Sequence, residues 1–584
     1  MWNSHIIAKL LANEQQQQEF QDDNKMFMQL TITRYLIEAF TKNPHLADGD
    51  MFAYRDYVQC NVPRLVSEEE ERNADSPKCN VRAAKARQEG NKLYLKKNYL
   101  EALEKYNESI CWAQIDSEDL AIGYANRSAI YYENEEYEFA MANIALAKRH
   151  KYPERLMPKL QARELRCKGK IDAGEHKSST QCPKLVLNVE ANPKIPFVAR
   201  GIAMKELPHF GRSMVAERDF KAGSVILCEK PMMVSISPEA KYKLCQSCSS
   251  ENFLSLIPCP HCVSVMYCSE ECWKKGWEVG HRFECGIYDK LASMPFDECQ
   301  MGPKMLFYGL TLFNDDVKKM RKYCRSHGRT GSNPFDLDYT KENPLDAFKV
   351  FHTAKMQPRG HTLDNVYRLV TAILYTIYIQ QPLIRSLFVT KTQQNFLLKC
   401  IFEYSIVVNR LIVVREPSID LLHTVASVCN HSCDPNTHVM YRSSQLKFVV
   451  IRPICKGEQI CISYGPIWGE TCAYERYRKL SIFEIDCACV VCNPNTFRNW
   501  LINNKQQSPA FHNNLFVMKK VLLNETFSNA DKMNALQQFI QRYGYVHPLH
   551  LFRQILTMYR EGLSVVFANE VMFAMRERIF ASLN

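Results

Sequence analysis

The feature that most constrains the fold of this chain is a dense group of cysteine and histidine residues in its middle third. Eight potential metal ligands lie close together in the sequence: Cys245, Cys248, Cys259, Cys262, Cys268, Cys272, His281 and Cys285. Zinc in structural sites takes four such ligands in a tetrahedron, so eight of them predict two ions. A segment this short cannot bury enough apolar surface to fold by itself. We therefore expect metal binding to supply its folding energy.

The composition predicts several globular modules around this segment. The chain has 584 residues, of which 46% are hydrophobic and 23% are charged, and this excludes a largely disordered chain. Its N-terminal sequence is polar and rich in glutamine (Gln15–Gln18) and does not resemble a secretory signal. For an intracellular chain, 24 cysteines favour metal binding or catalysis over disulfides. The apolar stretch Ile401–Val414 contains Glu403 and Arg410, so we expect no membrane span.

A repeat of small and aromatic residues begins near Val81. Five positions recur with an offset of 38 residues: Gly90, Tyr94, Tyr99, Ala102 and Tyr106 correspond to Ser128, Tyr132, Tyr137, Ala140 and Ile144. This pattern resembles tetratricopeptide repeats, whose unit has about 34 residues, with about four more in the connecting loop. The alternative is an ordinary helical hairpin.

The rest of the chain alternates between strand-like and helical patterns. Short β-branched runs around a Lys-Ala-Gly turn in Phe210–Pro231 predict paired strands. The segment Lys290–Leu398 is helical and basic in places. Strand-like runs resume at Leu411–Val414, Phe448–Ile451 and Gln459–Tyr464. Beyond Pro494, an apolar face at helical spacing predicts packing helices; it is formed by Phe552, Ile555, Leu556 and Tyr559.

The order of the eight ligands resembles the MYND zinc finger. In that finger alternate pairs share an ion, which implies one site from Cys245, Cys248, Cys268 and Cys272 and a second site from Cys259, Cys262, His281 and Cys285. On spacing alone His261 also competes as a ligand; we treat it as a bystander.

Two segments on either side of the finger resemble the two halves of a SET domain. Gly211 and Arg212 precede a strand-like run, and the motif NHSCDPN (Asn430–Asn436) is followed by GEQICISYG (Gly457–Gly465). Together with the finger and the repeats, these motifs resemble the SET and MYND domain-containing (SMYD) lysine methyltransferases, in particular their tetratricopeptide-bearing branch. The resemblance covers roughly residues 81 to 494.

The resemblance implies an α+β multidomain protein in which tetratricopeptide repeats precede a β-rich SET domain, split by the finger, and a helical C-terminal region. The implied boundaries are a helical and polar N-terminal region (1–80), the repeats (81–175), the first part of the SET domain (196–244), the MYND finger (245–285), a helical SET insertion (286–400), the SET core and post-SET segment (401–495) and the helical C-terminal region (496–584).

The implied activity is methyl transfer from S-adenosylmethionine to lysine in a histone or another protein. A sulfonium donor and a protonated amine cannot react, so such a site must favour neutral lysine and align both partners. By resemblance, Tyr464 is the catalytic residue and orients the amine. Seven residues are implied to contact the cofactor: Gly211, Arg212, Asn409, Asn430, His431, Tyr464 and Phe483.

Downstream of the motif, CACVVC offers three thiolates, one fewer than a closed tetrahedron requires. In the family, the cysteine of NHSC completes this site. The resemblance therefore implies a third zinc ion bound by Cys433, Cys487, Cys489 and Cys492.

Two departures from the family pattern leave an alternative open. Ser213 stands where many relatives have glycine, so the local backbone is expected to bend less freely. Phe483 stands where the family usually has tyrosine, and a lost transition-state hydrogen bond lowers the rate by roughly 10². The alternative function is a catalytically weak or inactive scaffold in transcriptional repression or chaperone complexes.

Several partners are predicted. Two residue pairs four apart share a helix face, and an asparagine lies between them: Arg87, Asn91, Asn126, Lys159 and Arg163. They resemble the clamp that holds the acidic C-terminus of heat-shock chaperones; the alternative is ordinary solvated charges.

The finger is expected to bind proline-containing peptides or histone deacetylase-type corepressors. A diffuse net charge of +11 disfavours direct nucleic-acid binding. Both cytoplasmic and nuclear residence are expected.

Overall fold

The structure is a computed structural model of the full chain. It describes residues 49–61, 78–175, 186–250, 256–292, 300–341, 343–355, 361–416, 419–442, 445–481, 485–503, 509–524, 526–546 and 550–583. Helices form the N-terminal and C-terminal regions, and the strands lie between them.

Five helices form the segment that the sequence predicts to be repeats: α2 (Asn80–Leu95), α3 (Tyr99–Trp112), α4 (Glu118–Glu133), α5 (Tyr137–Arg149) and α6 (Met157–Asp172); α1 (Met51–Asn61) precedes them. Each of the five packs on the next, and α2 also contacts α4. A Cβ atom placed on Gly90 would lie 2.6 Å from the ring of Tyr106. The small residue therefore permits the close approach of α2 and α3. The assignment to tetratricopeptide repeats stays a prediction.

Twelve strands are described: β1 (Ile202–Leu207), β2 (Gly211–Ala216), β3 (Val225–Glu229), β4 (Met233–Ile236), β5 (Ile257–Pro258), β6 (Met266–Tyr267), β7 (Ile412–Glu416), β8 (Ile419–Leu422), β9 (Asn430–His431), β10 (Thr437–Arg442), β11 (Gln445–Val450) and β12 (Cys461–Ile462). They form two-stranded and three-stranded sheets. Strands from the two sides of the finger pair directly, because β3 lies antiparallel to β11 and β4 lies antiparallel to β8. The two separated segments thus fold as one β domain.

The helices between β6 and β7 are α7 (Glu270–Gly276), α8 (Arg282–Glu284), α9 (Tyr288–Ala292), α10 (Met301–Leu312), α11 (Val317–Ser326), α12 (Pro344–His352), α13 (His361–Tyr378), α14 (Pro382–Leu387) and α15 (Lys391–Asn409). A π-helical turn, Trp277–His281, joins α7 to α8. Helices α10, α13 and α15 contribute to a large apolar core. This core supports the β domain from the side of β4, which contacts α10.

Helix α1 packs on α13, far from it in the sequence. Tyr54 and Val58 are fully buried there, and the guanidinium of Arg368 donates to the Gly49 carbonyl at 2.7 Å. Residues 49–61 therefore belong to the core of the helical insertion, a placement that no sequence pattern indicated.

The C-terminal helices are α16 (Ala473–Ser481), α17 (Pro494–Asn503), α18 (Pro509–Leu523), α19 (Asn529–Tyr543) and α20 (His550–Leu583). The predicted apolar face of α20 is buried, as Phe552 and Tyr559 show, and it packs with α18 and α19 on β10 and β11. Helix α20 also contacts α5 of the N-terminal helices. Within the described ranges, no helix has the length and apolarity needed to cross a membrane.

The zinc-finger segment shares one apolar core with helices α2–α6. At its centre the fully buried Arg127 of α4 donates to the carbonyl of Leu256, at 2.9 Å, and to two asparagine side chains of the helices. The thiol of Cys111 donates to the Val263 carbonyl at 3.0 Å. The finger and the helices are therefore one packing unit and not two modules on a flexible linker.

On its other side, the finger is joined to the helical insertion by a buried ion pair. Lys304 Nζ of α10 lies 2.7 Å from a carboxylate oxygen of Glu284, and their side chains are only 10% and 3% exposed. The hydroxyl of Tyr378 donates to the same carboxylate at 3.3 Å. Glu284 immediately precedes the predicted zinc ligand Cys285, so this pair fixes the insertion against the metal centre.

We expect Lys304→Met to destabilise the protein by about 3–5 kcal/mol, because it leaves the Glu284 carboxylate buried without its cation. Urea unfolding followed by circular dichroism measures the change. The double change Lys304→Met with Glu284→Gln should recover most of the lost stability. The exposed ion pair of Arg200 and Glu190 supplies the control, since Arg200→Met should change stability little. Equal losses of stability in Lys304→Met and Arg200→Met would contradict this interpretation.

Candidate functional site

The finger brings its eight predicted ligands together in two groups of four. The groups are Cys245, Cys248, Cys268 and Cys272, and Cys259, Cys262, His281 and Cys285, with the ligand atoms of each group within 4.8 Å of one another. These are the two sets that the resemblance implies. His261 belongs to neither group, and its ring instead packs against Trp277.

The distances within the two groups fit zinc. Four sulfur atoms at about 2.3 Å from a central ion lie about 3.8 Å from one another in a regular tetrahedron. The Sγ atom of Cys268 lies 3.6 Å from that of Cys248 and 3.5 Å from that of Cys272. In the second group, Cys262 Sγ lies 3.5 Å from His281 Nε2. Disulfides require about 2.05 Å, so these contacts are spaced for a metal.

A third group of four joins the motif Asn430–Asn436 to the segment after α16; it consists of Cys433, Cys487, Cys489 and Cys492. Cys433 Sγ lies 3.9 Å from Cys487 Sγ and 3.5 Å from Cys492 Sγ. The guanidinium of Arg476 lies 3.8 Å from Cys492 Sγ. A zinc ion bound by these four thiolates would carry a net charge of −2, and Arg476 would supply part of the balancing charge.

His431 connects this third group to Tyr464. Its Nδ1 accepts the backbone N–H of Tyr464 at 3.0 Å, and its Nε2 lies 3.2 Å from Cys433 Sγ. Burial lowers the pKa of His431 to about 4, so the ring is neutral at pH 7. Because Nδ1 accepts, Nε2 carries the proton and donates to the Cys433 sulfur. The imidazole thus links the metal centre to the chain segment of the predicted catalytic residue.

Asn430 connects the motif to strand β2. Its Nδ2 group donates to the carbonyls of Phe210 and Arg212, at 3.3 and 3.1 Å, and to Ser213 Oγ at 2.9 Å. The predicted residues Gly211 and Arg212, from one side of the finger, are therefore held directly against the motif from the other side.

The structure shows no bend at Ser213 that serine would restrict. Gly211 has the positive φ, 64°, whereas Ser213 lies within the extended strand β2. The buried hydroxyl of Ser213 accepts from Asn430 and from Gln459 Nε2, the latter at 3.0 Å. Serine at this position therefore stabilises the contact between β2 and the motif.

Tyr464 directs its hydroxyl towards the start of the motif. The hydroxyl donates to the backbone carbonyl of Cys429 at 2.7 Å. Burial of the hydroxyl, reinforced by the thiols of Cys429 and Cys461, raises the pKa of Tyr464 well above its ordinary value. The guanidinium of Arg212 opposes this increase, which places Arg212 within electrostatic reach of Tyr464. At neutral pH the hydroxyl is therefore protonated.

Two further residues, Asn409 and Phe483, were also predicted to contact the cofactor. Asn409 ends α15, and its amide donates to the hydroxyl of Tyr367 at 2.6 Å. Phe483 lies outside the described residues. Ile485, two residues later, packs with Cys487 and Leu480 beside the third group of cysteines.

The predicted clamp residues lie along α2, α4 and α6. Asn126 Nδ2 donates to Asn91 Oδ1 at 2.9 Å, which brings the two asparagines together. The guanidinium of Arg163 donates to the Ala125 carbonyl at 2.8 Å, and Lys159 is exposed. Arg87, however, forms an ion pair of 2.6 Å with Asp119, so a competing carboxylate lies at this end of the group.

Two residues of the site were not among the predicted site residues, although one of them, Asn436, ends the motif. Glu229, the last residue of β3, accepts three backbone N–H groups of residues 424–426, just before the motif. Burial raises the pKa of Glu229 to about 7, although these three N–H groups oppose it. Asn436 donates to the Gln459 carbonyl and accepts from the backbone of Cys461. A charged residue that ends an apolar strand was the available signal for Glu229.

Comparison with known proteins agrees with this geometry. A family model described as the SET domain matches residues 211–465, which include the finger. The chain is 23% identical to "Protein-lysine N-methyltransferase SMYD4" of Mus musculus over 70% of its own length and 67% of that protein. It is also 23% identical to the protein of the same name of Homo sapiens, with the same coverage. "Histone-lysine N-methyltransferase ASHR1" of Arabidopsis thaliana is 26% identical over 50% of this chain and 55% of its own.

The three groups predict three zinc ions per chain, measurable by mass spectrometry of the purified protein. Cys433→Ser should remove one ion and leave two, because a tetrahedral site with three thiolates binds zinc more weakly. Cys60→Ser, at an exposed cysteine outside the groups, is the matched control and should keep three. A metal content that Cys433→Ser does not lower would contradict the third site.

Proposed function

Since the chain is a SET-domain protein of the SMYD family that resembles SMYD4 over 70% of its length, we propose that it is a protein-lysine N-methyltransferase. The methyl donor is S-adenosylmethionine, and the acceptor is lysine in a histone or another protein. The supporting observation is the set of direct hydrogen bonds that join strand β2, the motif Asn430–Asn436 and Tyr464 into one site.

The oxygen atoms at Tyr464 suit a sulfonium donor. S-Adenosylmethionine, when bound, supplies a methyl group polarised by a positively charged sulfur. The Tyr464 hydroxyl and the Cys429 carbonyl are 2.7 Å apart, and both oxygens can accept weak C–H···O contacts from such a methyl group. Because the hydroxyl gives its hydrogen to Cys429, its lone pairs face away from that bond. We expect the methyl group or the lysine amine to approach the hydroxyl oxygen from that side.

The other residues of the site bind the donor and set the environment of the target lysine. The guanidinium of Arg212 is the natural partner for the donor's carboxylate. Asn430 donates to the backbone carbonyl of Arg212 and so fixes the position from which the Arg212 side chain extends. The target lysine must arrive neutral, and desolvation in a site that raises the pKa of Tyr464 also favours the uncharged amine. No general base among the described residues is required, because alignment accounts for most of the barrier reduction.

We expect Tyr464→Phe to lower the rate of methyl transfer by about 10²-fold, because it removes a hydroxyl that acts on the reacting atoms. The assay is transfer of radiolabelled methyl groups from S-adenosylmethionine to an array of lysine peptides. Donor affinity, measured by calorimetry, should change little. Tyr474→Phe, at an exposed tyrosine of α16, is the control and should retain full activity.

Tight donor binding by the wild-type protein without any transfer would instead indicate the scaffold function. Full transfer by Tyr464→Phe would show that this hydroxyl is not the catalytic group. Roles of the finger in binding proline-containing peptides or histone deacetylase-type corepressors, and residence in cytoplasm and nucleus, remain predictions.

We also propose that the groove along α2, α4 and α6 binds a peptide with an acidic C-terminus, such as that of a heat-shock chaperone. The contact between Asn91 and Asn126 supports this proposal, since it places two amide groups side by side beside Arg163. Free carboxylates prefer several charge-assisted donors, which Lys159 and Arg163 supply. The ion pair of Arg87 with Asp119 weakens this end of the groove.

Calorimetry at low salt with a peptide that ends in acidic residues should detect binding. The double change Asn91→Ala with Lys159→Ala should abolish it. Asp119→Asn should tighten it, because Arg87 loses its internal carboxylate and can face the peptide instead. Equal affinity of the wild type and the double variant would remove the proposal.

A further inference from the structure

The carboxylate of Glu229 binds three consecutive backbone amides. One oxygen accepts from Thr424 N at 2.8 Å and from Val425 N at 2.9 Å, and the other accepts from Ala426 N at 2.8 Å. The Glu229 side chain is buried, with 4% exposure. A carboxylate group can accept such bonds at both of its oxygens, so one side chain holds all three amides.

These amides begin the turn that leads into the catalytic motif. Ala426–Val428 forms a short 3-10 turn, and Cys429 follows with the carbonyl that accepts the Tyr464 hydroxyl. Asn430, which binds strand β2, comes next. Glu229 therefore holds the N-terminal end of a short, tightly bonded segment, and Tyr464 and Asn430 contact its C-terminal end.

The carboxylate and the turn come from opposite sides of the finger. Glu229 ends β3, where it pairs with Leu446 of β11. Three residues later the backbone of Met232 donates to the Leu422 carbonyl at 2.8 Å, which holds the chain beside the approach to the turn. Both ends of the Glu229 contact are thus anchored by strand pairing, so the carboxylate has a fixed position from which to hold the amides.

We propose that Glu229 is a positioning residue for methyl transfer: by holding the amides of residues 424–426, it sets the position of the Cys429 carbonyl and, through it, of the Tyr464 hydroxyl. This inference rests on the proposed methyltransferase function. Glu229 acts through the backbone and Tyr464, and it touches neither the donor nor the lysine.

Glu229→Gln tests the inference with little change in shape. The amide oxygen can still accept two N–H groups, but its NH₂ group faces the third N–H, donor against donor. We expect kcat for a peptide chosen from the array to fall by about 10-fold to 10²-fold, the range that a small misplacement of reacting groups produces. KM for the peptide and calorimetric affinity for S-adenosylmethionine should stay within about threefold, since Glu229 touches neither the donor nor the lysine.

A double-mutant cycle separates positioning from general destabilisation. If Glu229 acts through Tyr464, then Glu229→Gln should have little further effect in a Tyr464→Phe background. A merely structural role would give independent, multiplying losses in kcat. Glu217→Gln, at a half-exposed glutamate of the same domain, is the matched control and should leave kcat unchanged. Three zinc ions per chain and an unchanged near-ultraviolet circular dichroism spectrum verify the fold of each variant.

Hydrogen exchange of the wild-type protein gives a second test that needs no variant. The amides of residues 424–426 should exchange as slowly as those of β11, although they belong to no strand. Rapid exchange of these amides, full activity of Glu229→Gln, or independent losses in the double-mutant cycle would each overturn the inference. Absence of methyl transfer by the wild type on the whole array would instead overturn the proposed function, and the inference with it.

Discussion

The Cys433 sulfur belongs to two parts of the molecule at once, and the site depends on this shared atom. It lies within the motif that contacts β2 and Tyr464, and it is also one corner of the cysteine group formed with the segment after α16. His431 adds a second connection, from the same sulfur to the backbone of Tyr464. Zinc bound there would fix the loop geometry at two points and would link metal occupancy to site geometry.

The finger has a structural role beyond its two predicted metal sites. On one face it shares a core with helices α2–α6, where Arg127 is buried against Leu256. On another face Glu284 is paired with Lys304 of the insertion. The finger therefore lies between the N-terminal helices and the helical insertion and packs on both. Whatever partner it binds meets a finger whose inner surfaces are already occupied.

The parts of this structure that the sequence predicts are those fixed by local spacing. The order and number of the cysteines carry the resemblance to the zinc finger and the SET domain, and that resemblance implied the ligand sets that the structure brings together. The packing of α1 on α13, the burial of Arg127 and the contacts of Glu229 and Ser213 depend on residues far apart in the chain. The spacing of residues along the sequence does not indicate such long-range contacts. Ser213 shows this well, because it looked unfavourable after Gly211 and Arg212 in the sequence and accepts two hydrogen bonds in the fold.

The pairing of β3 with β11 has a consequence for how the protein folds during its synthesis on the ribosome. Strand β3 ends at Glu229 and its partner β11 begins at Gln445. More than two hundred residues must therefore be synthesised before β3 can pair with β11. During this interval the edge of β3 that later pairs with β11 and the edge of β4 that later pairs with β8 are unpaired, and exposed strand edges promote aggregation. Helices α2–α6 and the zinc-loaded finger can fold meanwhile from local contacts. Newly made chains should therefore depend strongly on chaperones and on early zinc supply.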